Sequence, residues 1–298
     1  MTALSGRGHA RRDASAGSRT LYDAAASRAS AQVVEEYSTS FARACRLLHE
    51  PVRTHVRNVY GLVRVADEIV DAPDLGLGPS ARGELLDDLE DEVRRATARG
   101  FSTNLVVHAF ARTAVRTGID EELVGPFFAS MRTDLSRTAH DARSLDRYVY
   151  GSAEVVGLMC LRAFLADEAD AARRFDDLAP AARRLGAAFQ KVNFLRDLGA
   201  DHDDLGRDYL PGVDAHHLTD DQRDDLLDDI DTDLAIAADA IALLPPSSRR
   251  AVRCAHDLFA ALSARLRRTP AATIAGTRVS VGVTTKSLIV ARSLLGAH

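Results

Sequence analysis

From about residue 20 to the C-terminus, apolar residues recur every three or four positions in one segment after another, and no run alternates with period two. A chain patterned this way has helices to pack and no strand to pair, so the expected fold class is all-α. Composition agrees: 298 residues include only 19 glycines and 9 prolines. The spacing predicts helices over 22–37, 38–48, 51–71, 81–98, 103–117, 120–136, 144–166, 170–200, 219–244, 247–268 and 284–296. A Pro- and Gly-rich break lies at 71–80 and a loop at 206–212. No repeat, linker or composition shift divides the chain, so residues 19–298 read as a single domain. Residues 1–18 are small, polar and basic and read as a disordered arm.

Bulk chemistry narrows the function. A net charge of −5, with no basic patch beyond the first twenty residues, argues against a nucleic-acid partner. Cys45, Cys160 and Cys254 lie far apart and read as buried thiols in a reducing compartment. No window reaches eighteen uninterrupted apolar residues, so no membrane span is expected. Arg11 and Arg12 resemble a twin-arginine signal but lack a following apolar region. The expected location is the cytoplasm, with a peripheral position on the inner face of the membrane as a variant. The histidines, His216 and His217 among them, fall mostly on loops or solvated faces and read as surface groups.

Two stretches place carboxylates where a greasy face is expected. On "YGLVRVADEIVD" (60–71), Tyr60, Arg64, Asp67 and Asp71 share one stripe at about 100° per residue, and Val59, Leu62, Val63, Ala66, Ile69 and Val70 fill the rest. On "QKVNFLRDLGAD" (190–201), Gln190, Asn193, Asp197 and Asp201 share a sector, with Arg196 beside it. Aspartates four residues apart recur at 87/91, 221/225, 225/229 and 229/233, but in charge-rich runs that read as solvated faces. The 67/71 and 197/201 pairs differ in their apolar flanks. Buried like charges repel unless cations compensate, and two facing pairs exceed what Arg64 and Arg196 balance. Oxygen-only donors suit a hard divalent ion, magnesium above all, completed by substrate phosphate. The inferred site is a deep helical cavity, acidic at one end, that binds diphosphate.

These residues carry a family likeness. Through "YSTSF" (37–41), the two acidic stretches, "YVYGSAEVVGLM" (148–159), "GRDYLP" (206–211) and "TRVSV" (277–281), the chain resembles the squalene/phytoene synthases over about residues 30–290. These are head-to-head prenyl transferases of the all-α isoprenoid synthase fold, a helical bundle with a central cavity, and the phrasing is most similar to bacterial phytoene synthases. The resemblance implies that Asp67, Asp71, Asp197 and Asp201 hold two or three Mg2+ ions, Mn2+ being the substitute. It implies diphosphate contacts for Ser38, Ser40, Arg64, Gln190, Asn193, Arg196, Arg278 and Lys286. Tyr148 would face the reacting carbons. Departures stand at Thr39, where a lysine is frequent; at Glu154, where glycine is frequent; and at Ala200, where a glutamate is common.

The implied reaction joins two geranylgeranyl diphosphates through a cyclopropyl diphosphate to phytoene, with diphosphate released. Carotenoid synthesis would supply its setting and a desaturase its downstream partner. No nicotinamide cofactor is expected. The alternatives are a squalene or dehydrosqualene synthase using two farnesyl diphosphates, and a non-catalytic assembly factor of the same fold. A carbocation must be kept from water, which suits charges set inside an apolar bundle. The faces of Phe41, Tyr60 and Tyr148 could stabilise it.

Overall fold

The computed structural model describes residues 6–72 and 76–295; for residues 6–18, Thr39, Ser40 and Leu295 it describes backbone only. The helices are α1 (Gly6–Tyr37), α2 (Thr39–Cys45), α3 (Val52–Asp71), α4 (Pro79–Arg99), α5 (Leu105–Thr117), α6 (Glu121–Asp134), α7 (Ala142–Val149), α8 (Val155–Leu165), α9 (Ala171–Arg196), α10 (Leu198–Asp203), α11 (Asp220–Ile241), α12 (Pro246–Arg267), α13 (Ala271–Ile274) and α14 (Val283–Leu295). A π-helical turn, Tyr150–Glu154, joins α7 to α8. Among the described residues there is no strand; Ala139 and Asp208 form one isolated bridge. The bounds of α1 reach back to Gly6, into the stretch expected to be disordered, of which residues 1–5 lie outside the described residues.

Local chemistry sets the boundaries. Asn104 caps α5 by accepting from the Val106 and Val107 amides, and Gly118 ends it in the left-handed region at φ 73°. Asp141 with Ser144, and Thr219 with Gln222, form reciprocal capping boxes that start α7 and α11.

Two large apolar clusters, with two smaller ones around Leu48 and Leu161, form the interior. One gathers α3, α4, α5, α6 and α8 around Leu62, Leu86, Phe110, Phe127 and Phe128. The other gathers α9, α11, α12 and α13 around Val192, Leu195, Leu227, Ile230 and Leu266. Between them α8 and α9 approach closely through Gly157 and Gly186. A Cβ on Gly186 would lie 2.6 Å from the Ala153 carbonyl oxygen, and one on Gly157 would lie 2.8 Å from that of Ala182.

The sequence pattern reads 144–166 and 170–200 as unbroken helices; each is interrupted. In the first, a Cβ at Gly151 would lie 2.2 Å from the Pro126 carbonyl oxygen, and the Ser130 hydroxyl donates to the Tyr148 carbonyl (3.1 Å). Close packing on α6 and an outside donor favour the π-turn. In the second, the helix breaks at Asp197 (φ −100°, ψ 10°). There Gly199 abuts Ala275 so closely that a Cβ would lie 1.9 Å from its carbonyl oxygen. Ala142–Leu165, where no span is expected from unbroken apolar runs, is long and apolar enough to cross a membrane; half of its apolar window is buried inside the protein.

Within the acidic run 219–233 the aspartates are exposed or partly exposed as the pattern predicts, except Asp233, which is 1% exposed because Arg184 (2.9 Å) and Lys191 (2.8 Å) reach it from α9.

Candidate active site

The cavity is lined by residues of all the apolar clusters and has a volume of about 890 Å³. Its deep walls are apolar, with Leu161, Phe164, Leu178, Ile241 and Leu244 among them. Stacked rings line its sides: Phe41 on Tyr60 at 4.8 Å, and Phe189 on Phe259 at 3.8 Å between centroids. At the other end are polar side chains. Ser38, Arg64, Gln190, Asn193, Arg196, Arg278 and Lys286, every expected diphosphate contact with a described side chain, line this one space. The Ser40 side chain lies outside the described residues.

Each polar group is set by its element. Ser38 caps α2, its hydroxyl accepting from the Phe41 amide (3.2 Å). Arg64 donates to Glu68 (2.6 Å), lies 4.0 Å from Asp67 and sits 4.2 Å over the Tyr37 ring. Its Nε is buried without a hydrogen-bond partner, so a donor at the cavity mouth lacks an acceptor. Arg196 donates from Nε to Asp197 (2.9 Å), and Arg278, largely exposed, reaches the same carboxylate (3.2 Å).

Beside this mouth lie the four aspartates, all partly exposed. Asp71 is held by Arg207 (2.6 Å), whose other terminal nitrogen donates to the Val70 carbonyl (3.1 Å). Arg82 caps the same helix end through the Ile69, Val70 and Ala72 carbonyls. The Arg207 amide donates to the Asp201 carbonyl (2.8 Å). Arg207 thus ties the end of the first acidic stripe to the end of the second. Despite the break at Asp197, the Asp201 amide still donates to the Asp197 carbonyl (2.9 Å), so the second pair keeps its helical spacing.

Burial, with the Asp71 charge second, pushes the Asp67 carboxyl up to about 7. Burial, then Asp197 and Asp71, pushes Asp201 up to about 7. The two stripes therefore feel each other's charge, and the local cations do not cancel it. The four carboxylates together are an oxygen donor set of the kind a hard dication takes.

Other members escaped the sequence reading. Asp134, at the end of α6, is buried and accepts from Tyr148 (2.8 Å) and Tyr209 (3.0 Å), with Arg207 4.0 Å away. Burial pushes it up to about 6, against the pull of Arg207. Tyr148, expected to face the reacting carbons, is 5% exposed and is not among the residues lining the cavity. It is packed with Phe194 and Tyr209 behind the acidic cluster, because its hydroxyl has a buried acceptor there. Arg207 stands in the "GRDYLP" segment, which marked its place but not its target. Asp134 has no pattern around it; three separate segments make its environment. Glu154, a departure from the family pattern, pairs with Arg183 of α9 (2.6 Å), and Ala200 is exposed.

The sequence profile described as "Squalene/phytoene synthase" matches residues 34–285. Phytoene synthase 1, chloroplastic, of Zea mays is 32% identical over 183 residues, covering 60% of this chain and 43% of that protein. A 15-cis-phytoene synthase of a Paracoccus species is 29% identical over 189 residues, covering 61% and 59%. The aligned region thus spans about half the length of these curated relatives. Among solved structures, a dehydrosqualene synthase superposes with a TM-score of 0.77 at 20% identity, covering 93% of this chain and 98% of that one, which shows a shared fold.

Proposed function

Because the chain belongs to the squalene/phytoene synthase family, we propose that it is a phytoene synthase, joining two geranylgeranyl diphosphates head to head and releasing diphosphate. The observation that carries this reading is a single cavity lined by Arg64, Gln190, Asn193, Arg196, Arg278 and Lys286; the four aspartates are not among its lining residues but adjoin it, Asp67 4.0 Å from Arg64 and Asp197 bonded to Arg196 (2.9 Å) and Arg278 (3.2 Å). The unpartnered Arg64 Nε supports an oxyanion there. The twenty-carbon substrate rests on relatives named phytoene synthase.

Asp67, Asp71, Asp197 and Asp201 would hold magnesium, which when bound would neutralise diphosphate and make it a better leaving group. Arg64, Arg196 and Arg278 would donate to the diphosphate oxygens and orient both head groups. Releasing Arg196 and Arg278 from Asp197 would free all three partners for ligands. The apolar walls exclude water from the allylic cation formed as diphosphate departs. The stacked faces of Phe41 and Tyr60 border that space and would favour the cation. Attack by the second double bond and loss of a proton give the cyclopropyl diphosphate; a second ionisation, rearrangement and proton loss give the hydrocarbon. Exposed Val283, Leu288 and Leu294 on α14, near the cavity residues Val281 and Lys286, support a peripheral contact with the membrane's inner face for product release.

The test is incubation of pure protein with Mg2+ and geranylgeranyl or farnesyl diphosphate. A forty-carbon hydrocarbon is expected. A thirty-carbon product would replace this reading with the squalene or dehydrosqualene alternative, and no hydrocarbon from either would leave an assembly role.

A further inference from the structure

A second group of ligating side chains lies outside the cavity, on the surface where α10 ends. His202 and Asp203 close α10, and His216 stands on the loop before α11. One donor atom from each lies within 4.8 Å of the others. Asp203 Oδ1 is 3.1 Å from His216 Nε2, and the two imidazole rings meet edge to face at 5.2 Å. These donors come from two chain segments brought together by the fold, unlike neighbouring charges on one exposed helix.

The surroundings are those of a ligand set. Asp208 lies 2.8 Å from His202 Nδ1, which orients the ring and leaves Nε2 available. Asp214 accepts from the His216 amide (2.9 Å) and fixes the loop that carries it. A cleft of about 510 Å³ is lined by His202, Asp208, Asp214, His216 and His217; Asp203 stands beside it, outside its lining. Two imidazoles with one carboxylate suit a transition metal, zinc foremost, and not magnesium, which prefers oxygen. All three side chains are 40% exposed or more, so water can complete the coordination.

We propose that His202, Asp203 and His216 bind one zinc-class dication that ties the end of α10 to the 212–217 loop. The same short helix carries Asp201, so the ion clamps an element of the acidic site without belonging to it. The proposal does not depend on the activity assigned to the cavity.

The experiment is calorimetric titration of the full chain with ZnCl2 in saturating Mg2+, which keeps the oxygen sites filled. One zinc per chain is expected, with a rise in Tm. His202→Ala and His216→Ala should each weaken binding about tenfold or more, and Asp208→Asn about tenfold. His217→Ala should leave binding unchanged. Far-ultraviolet circular dichroism checks that each variant is folded. Equal zinc uptake by the wild type and the His202→Ala/His216→Ala double variant would overturn the assignment, as would no uptake by the wild type or a loss caused by His217→Ala.

Discussion

Two aspartate pairs with the same four-residue spacing have opposite fates. On α11, Asp229 and Asp233 share Lys191 (2.6 and 2.8 Å), and Asp233 also takes Arg184. On α3, Asp67 has Arg64 no nearer than 4.0 Å, while the short contact of that arginine goes to Glu68. Asp71 shares Arg207 with the neighbourhood of buried Asp134. The first pair is neutralised by the protein's own cations. The second, with Asp197 and Asp201 nearby, lacks matching cations, so Asp67 and Asp201 hold their protons until something else neutralises the group. Spacing alone did not distinguish the pairs; apolar flanks did.

Substitution should break this contrast most sharply. Asp67→Ala or Asp197→Ala is expected to lower turnover at least about 100-fold in a folded protein, measured as hydrocarbon formed per minute. Asp233→Ala should instead cost about 2 kcal/mol in denaturant unfolding, because Lys191 and Arg184 lose their acceptor, with turnover per folded molecule retained. Equal catalytic losses at Asp67 and Asp233 would erase the distinction.

Proton linkage gives the next largest effect. Asp67 and Asp201, both pushed up to about 7, stay protonated in the folded metal-free protein while the unfolded chain ionises from about pH 4. The folded state then binds more protons, so stability falls as pH rises between about 4 and 7. Thermal melts without metal should lose about 3 °C or more from pH 5 to pH 7.5. Saturating Mg2+ should reverse the slope, since binding displaces those protons. Parallel slopes with and without metal would contradict the linkage.

Arg207 sharpens the comparison from the other side. Arg207→Gln removes the cation that faces Asp71, leaving more charge for a dication to relieve. The Mg2+-induced rise in Tm should grow by a few degrees, about 1 kcal/mol, although the metal-free protein is weaker; an unchanged rise would argue against it. The smallest effect belongs to Glu154→Gly, which removes the partner of half-exposed Arg183 and should cost under about 1 kcal/mol by urea unfolding, with the product unchanged.

Much of this was legible beforehand because helical periodicity is a local signal. The stripe at Tyr60, Arg64, Asp67 and Asp71 and its enclosing Val59, Leu62, Ala66 and Val70 follow from the turn angle alone, and the latter four are buried. What escaped depends on tertiary packing. The π-turn needs Pro126 and Ser130 of another helix; the break at Asp197 needs Ala275 from far along the chain. Asp134 and Arg207 sit in unremarkable local sequence and gain meaning only by meeting. Tyr148 carried a family pattern, but its bond to Asp134 depends on α6 and is not legible from its own segment.

The most direct test is anomalous diffraction from crystals grown with Mn2+ and inorganic diphosphate. The expected result is manganese between α3 and the α9–α10 break, bonded to carboxylates of both Asp67/Asp71 and Asp197/Asp201, with diphosphate on Arg64. Manganese bound to only one pair, or none near either, would contradict the shared-cation site.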